Sequence, residues 1–169
     1  VPYCRTEHAG TAGEAVDAAE RLGMPVVLKT AATLAHKTEL GGVRTDLADA
    51  GAVRAAYEAI ITAIPGAGVL VQAMARPGIE LLVGVSRTEP YPPVLLVGLG
   101  GTATALLGDT ATRLAPVTDV DAHDMIRQLR SAPLLLGYRG AAPADVGALE
   151  DLLQRISTLA DEIPEIAEL

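Results

Sequence analysis

Apolar and polar positions change period along the chain. Between Thr11 and Leu22 the residues Ala15, Val16, Ala19 and Leu22 recur at helical spacing, with Thr11 and Glu14 placed as a capping box and Gly23 as a stop. Val26-Val27-Leu28-Lys29-Thr30, entered through Gly23-Met24-Pro25, predicts a buried strand that ends on a lysine. Val43 to Leu47 predicts a second strand, and Asp49 is placed to cap a helix with Val53, Ala56, Ile60 and Ile61 on its apolar face. From Gly68 the period becomes that of strands, predicted over 69–74, 79–86, 93–101 and near 112–116. Helical spacing returns from Val120 to Leu129 and from Ala144 to Ile163, with a stripe of Leu149, Leu152, Leu153, Ile156 and Leu159. A helical pattern also closes the chain at Glu165 to Leu169. This order predicts an α+β fold, with an antiparallel sheet covered on one face by helices in its second half. The change of period near Gly66 to Gly68 suggests two lobes, residues 1–71 and 72–169.

Composition narrows the classes. Half of the 169 residues are apolar, enough for a full core, but Phe and Trp are absent, so the core is expected to be Ala, Val, Leu and Ile, and stacking of exposed bases on aromatics is not expected. A net charge of −8 argues against a broad nucleic-acid or anionic-membrane surface while leaving room for a local basic pocket. The single cysteine, Cys4, excludes an internal disulfide framework and suggests a reducing compartment. No apolar run reaches the ~18 residues a membrane helix needs, and no signal-peptide pattern opens the chain. A soluble cytoplasmic domain is expected. The opening at Val1-Pro2-Tyr3, without an initiator methionine, and the close at Leu169 suggest a piece of something longer.

One stretch concentrates candidate chemistry. The only two lysines, Lys29 and Lys37, lie with His36 and the Gly41-Gly42 pair between positions 29 and 42. A glycine-containing loop with cations can close backbone N–H groups and ammonium groups on one anion, as polyphosphate sites do. The same residues also suit a strand-end lysine, a turn and a solvated histidine. Their clustering in a chain otherwise without lysine favours the phosphate site. His8 and His123 stand outside any such motif and read as surface or capping histidines.

Gly23 to Lys29, His36 to Val43, Val69 to Met74, Glu80 to Gly84, Gly98 to Gly101, Arg113 to Pro116 and Pro164 to Leu169, taken in order, resemble the ATP-grasp domain of the NDP-forming acyl-CoA synthetases, relatives of succinyl-CoA synthetase. The resemblance covers essentially the whole chain. It implies an ATP-grasp fold of two lobes with a nucleotide cleft between them. It also implies conversion of an acid, CoA and ATP to acyl-CoA, ADP and phosphate through phosphohistidine. By resemblance, Lys29 contacts nucleotide phosphates, with Lys37 a second cation and Gly41 and Gly42 in the covering loop. Gln72, Ala73 and Met74 form the hinge whose backbone reads adenine, and Glu80 hydrogen-bonds the ribose. The resemblance further implies that His36 takes phosphate transiently, relaying it between the nucleotide and a phosphohistidine of the CoA-binding subunit or domain, the expected partner. A neutral imidazole suits that role as a nucleophile.

The chain also departs from the family pattern. After Gly98-Leu99-Gly100-Gly101 it has Thr102-Ala103-Thr104-Ala105-Leu106 where a bulky stretch and a glutamate are usual, and Ala73 replaces a usual hinge glutamate. The Asp-x-Asn-Pro motif whose oxygens help bind Mg2+ is expected beyond Leu169, so the piece alone is expected to be inactive. A second reading follows from Ala105: a catalytically degenerate, synthetase-like regulatory domain of a protein lysine acetyltransferase.

Overall fold

The computed structural model describes residues 3–34, 37–101 and 104–169, with Ala105 described in its backbone only. Residue contacts divide the chain into two compact units, Val1–Pro77 and Gly78–Leu169.

The first unit begins with β1 (Thr6–Ala9), followed by α1 (Ala12–Leu22), β2 (Val26–Thr30), β3 (Val43–Leu47), α2 (Ala50–Ala63) and β4 (Val69–Ala73). Thr11 caps α1 as expected, its Oγ1 accepting from the Glu14 amide at 3.2 Å. The Glu14 carboxylate reaches one residue further back than in a capping box, to the Gly10 amide at 2.7 Å. Gly23 ends the helix at φ +87°, a conformation costly for any residue with a Cβ. Asp49 Oδ1 accepts from the Ala52 amide at 2.8 Å and starts α2.

The four strands form an antiparallel sheet in the order β1-β4-β2-β3. Alternation along the strands sends Ala9, Val26, Leu28, Val69 and Val71 into a core shared with Ala15 and Ala19 of α1 and Val53 and Ile60 of α2. Residues of opposite parity, including Lys29 and Gln72, therefore lie on the face turned away from the helices. Gln72 and Ala73, expected at the start of the second lobe, belong to this sheet. β4 stays paired through Ala73, whose amide also donates to the Arg5 carbonyl at 3.1 Å, and this holds the division back to Pro77.

The second unit contains β5 (Leu81–Ser86), β6 (Val94–Leu99), α3 (Thr104–Leu107), β7 (Thr110–Leu114), α4 (Asp119–Gln128), α5 (Ala132–Leu135) and α6 (Val146–Glu162). β5, β6 and β7 make an antiparallel meander. One face buries Val85, Leu95, Val97 and Ala111 against Ala122, Met125 and Ile126 of α4 and Leu153 and Ala160 of α6. The other leaves Leu82 45% and Leu114 59% exposed, so the sheet is covered on one face, as expected.

The stripe of α6 is rotated from its predicted setting. Leu153, Ser157 and Ala160 are buried, Leu149 and Ile156 pack against the core, and Leu159 is 39% exposed. Ser157 is pulled inward because its Oγ accepts from the Val117 amide at 2.7 Å. The helical pattern at Glu165 to Leu169 does not become a helix. Pro164 cannot continue one, and the last residues lie along β5, with the amides of Val85 and Leu169 donating to each other's carbonyls at 2.9 and 3.0 Å.

Asp109, only 8% exposed, ties β7 to the turn before α5: its carboxylate accepts from the amides of Arg130 and Ser131, each at 2.8 Å. Burial works against its charge, but Ser131, the two amides and the Arg130 guanidinium 3.7 Å away outweigh it and hold the carboxyl below the ordinary range. Because the folded carboxyl is the stronger acid, its stabilising contribution is complete at neutral pH. It fades only as the pH falls below the ordinary aspartate range toward the lowered value. Asp109→Ala, which removes the acceptor of two part-buried amides, is expected to cost about 1–3 kcal/mol at pH 7 in denaturant titration. That difference should shrink in strong acid.

Candidate functional site

Of the predicted phosphate residues, Lys29 lies in β2, and Lys37, Gly41 and Gly42 lie in the connection that leads into β3. Lys29 sits near the end of β2 and donates from Nζ to Gln72 Oε1 at 2.7 Å. Lys29 pairs across the sheet with Leu70 and Gln72 with Val27, so the two side chains share a face and meet diagonally. Gln72 Nε2 in turn donates to Thr6 Oγ1 at 2.9 Å, and Thr6 Oγ1 donates to the Cys4 carbonyl at 3.0 Å. Among the described residues Lys29 has no carboxylate partner. Its ammonium group is oriented without being neutralised.

The turn at residues 37–42, which leads into β3, is closed by main-chain hydrogen bonds. The Thr30 amide donates to the Gly42 carbonyl at 2.7 Å, the Gly42 amide to the Lys37 carbonyl at 2.7 Å, and the Gly41 amide to the Thr38 carbonyl at 3.1 Å. Both glycine amides are thus used inside the loop. As it stands, this turn offers an anion its cations rather than those two N–H groups. Gly41 is required for conformation, at φ +74°.

Gly42 is required for space, because a Cβ there would lie 2.9 Å from Ile64 Cδ1 and Thr30 Cγ2 and 3.0 Å from the Lys37 carbonyl oxygen. Gly42→Ala is therefore expected to cost about 1–3 kcal/mol by overpacking, read as a lowered urea midpoint. Arg44, not singled out by sequence, braces the same turn: its Nη1 donates to the carbonyls of Gly41 and Val43, both at 2.9 Å. Its position directly after Gly41-Gly42-Val43 was the available signal.

Of the predicted hinge residues, Gln72 and Ala73 lie in β4 and are paired. Met74 lies just past the strand and makes no main-chain hydrogen bond among the described residues. In the second unit the Glu80 carbonyl accepts from the Gly100 amide at 2.8 Å. Its carboxylate lies 3.1 Å from where a Cβ on Gly101 would stand, so Glu80 and the Gly98 to Gly101 motif are brought together. Gly101, at φ +79°, makes that approach possible. His36 lies outside the described residues, as do Thr102, Ala103 and the Ala105 side chain. Among the described residues no group of three His, Cys, Asp or Glu side chains could hold a metal ion.

Comparison with known proteins extends this geometry. The ATP-grasp domain family model matches residues 1–169. The chain is 38% identical over 164 residues to acetate–CoA ligase (ADP-forming) I of Archaeoglobus fulgidus, covering 92% of this chain and 24% of that protein. It is 34% identical over 177 residues to the β subunit of acetate–CoA ligase (ADP-forming) I of Pyrococcus furiosus, covering 100% of this chain and 76% of that one.

The dinucleotide-forming acetyl-coenzyme A synthetase 1 of Ca. Korarchaeum cryptofilum, solved with coenzyme A, Ca-AMPCP and HgCl+, superposes with a TM-score of 0.90 at 38% identity, over 99% of this chain and 77% of that one. The same synthetase solved with coenzyme A and Mg-AMPPCP, its phosphohistidine segment pointing towards the nucleotide binding site, gives 0.84 at 37% identity, over 99% and 75%. Against the single-chain ligases the match is to a part: 24% of the Archaeoglobus protein and 25% of a 4-hydroxybutyrate–CoA ligase of Nitrosopumilus maritimus. With the family model matched from end to end and three quarters of a β subunit covered, the chain belongs to the ATP-grasp domain family, among the relatives of the ADP-forming acyl-CoA synthetases.

Proposed function

We propose that this chain binds a nucleotide and transfers phosphate within an ADP-forming acyl-CoA synthetase. The observation that carries the reading is the Lys29 ammonium, held at 2.7 Å by an uncharged side chain on the helix-free face of a sheet in an ATP-grasp fold. A cation so placed attracts a polyphosphate and keeps its full charge for it. Lys37 adds a second cation from the turn. Gly41 and Gly42 let that turn fold tightly, and Arg44 braces it. The main chain at Met74, beside Gln72 and Ala73, is read as the adenine contact, and the Glu80 carboxylate as the acceptor of ribose hydroxyls.

His36 is read as the transient phosphate acceptor. As the P–N bond on a phosphohistidine of the CoA-binding portion breaks, a new P–N bond forms on the His36 imidazole. A terminal phosphate oxygen of ADP then takes the phosphoryl group, and the imidazole leaves neutral or protonated. The CoA-binding subunit or domain is the partner this relay requires.

No group of three His, Cys, Asp or Glu side chains among the described residues could hold Mg2+. No helix among the described residues is long and apolar enough to cross a membrane. With the net charge of −8, a cytoplasmic setting completes the proposal. The regulatory alternative gains no support from the relatives above, which are ligases and synthetases.

Calorimetric titration with AMPPCP tests the reading. Saturable binding of one equivalent is expected, and heats no larger than dilution would overturn it.

A further inference from the structure

Thr6 belongs to a strand that the hydrophobic pattern does not announce, yet it anchors the chain of hydrogen bonds that ends on Lys29. The direction of each bond is forced. An ammonium group only donates, so Gln72 must present its carboxamide oxygen to Lys29 Nζ at 2.7 Å. The NH2 group then points at Thr6 Oγ1, which accepts at 2.9 Å and spends its single proton on the Cys4 carbonyl at 3.0 Å. Turning the carboxamide over would set NH2 against an ammonium group. The arrangement crosses three neighbouring strands, β1, β4 and β2, and every partner in it is neutral.

We infer that Gln72 and Thr6 are positioning residues that aim the Lys29 charge at a polyphosphate ligand without cancelling it. This rests on the nucleotide reading above. It makes position 72 selective in a way that stability alone would not. A glutamate there has nearly the same shape and is a better partner for lysine, but it would pair with the ammonium group and compete with phosphate for it.

The test compares the full chain with its Gln72→Glu, Thr6→Val and Thr6→Ser variants. Each is titrated with AMPPCP and with adenosine, its thermal midpoint is recorded, and Lys29 is trace-acetylated and quantified by peptide mass spectrometry. Gln72→Glu is expected to weaken AMPPCP at least about tenfold while leaving adenosine affinity and thermal midpoint unchanged or improved. Thr6→Val, which frees the carboxamide to turn, should weaken AMPPCP severalfold, and Thr6→Ser should restore it. AMPPCP binding by Gln72→Glu as tight as by the unsubstituted chain would overturn the inference.

If the unsubstituted chain binds no AMPPCP, the nucleotide reading itself has failed, and the polyphosphate ligand with it. The acetylation rate then judges the relay separately. Faster labelling of Lys29 in Thr6→Val than in Thr6→Ser upholds it, and equal rates overturn it.

Discussion

Lys29→Ala is expected to weaken AMPPCP binding by about 10–150-fold, the equivalent of about 1.5–3 kcal/mol for one charge-assisted hydrogen bond. Adenosine, which carries no phosphate, should lose little. The separation follows from the geometry. Lys29 is held through its Nζ by Gln72 and has no carboxylate partner among the described residues, so its contribution is to the anion. Lys29→Met keeps most of the apolar stem and should behave like Lys29→Ala, which assigns the loss to charge rather than packing. Lys29→Arg should recover only part of it, because a planar fork does not seat on a carboxamide oxygen shaped around a point charge. Raising the salt should narrow the gap between the parent chain and Lys29→Ala. Equal affinity of Lys29→Ala and the parent for AMPPCP would remove Lys29 from the site.

What the sequence reveals of this fold depends on how local each signal is. β2 is legible because five residues in a row are apolar or end the run, and the caps of α1 and α2 because each needs only a side chain three residues from an amide. β1 is not legible. Thr6, Glu7 and His8 are polar, only Ala9 is buried, and the strand exists because β4 lends it a ladder from the far end of the unit. The rotation of α6 is hidden for the same reason, since Ser157 turns inward toward an amide 40 residues away.

The site divides along the same line. Residue types drew attention to Lys29, Lys37, Gly41 and Gly42, and the family resemblance to Gln72 and Glu80, but neither indicated what the Gln72 side chain does. The resemblance assigns that glutamine through its backbone, whereas the structure puts its side chain on a lysine 43 residues earlier.

His36→Ala is expected to abolish acyl-CoA synthesis in the full-length enzyme supplied with its CoA-binding portion, while AMPPCP affinity stays within about twofold of the parent. The contrast with Lys29 follows from when each group acts. An ammonium group attracts the polyphosphate in the ground state, whereas an imidazole nucleophile is needed only while phosphorus changes partners. Loss of a binding group lowers affinity and leaves the residual chemistry intact. Loss of the acceptor leaves affinity intact and removes a covalent intermediate, for which alanine has no substitute atom. Two measurements separate these outcomes in one preparation. The first is synthesis of acyl-CoA at saturating nucleotide, where binding defects are masked and acceptor defects are not. The second is acid-labile radiolabelled phosphate on the ATP-grasp portion after incubation with labelled ATP, present in the parent and lost in His36→Ala. Normal turnover by His36→Ala, or undiminished acid-labile phosphate on its ATP-grasp portion, would take His36 out of the mechanism and leave Lys29 as a nucleotide contact in a domain that does not itself carry phosphate.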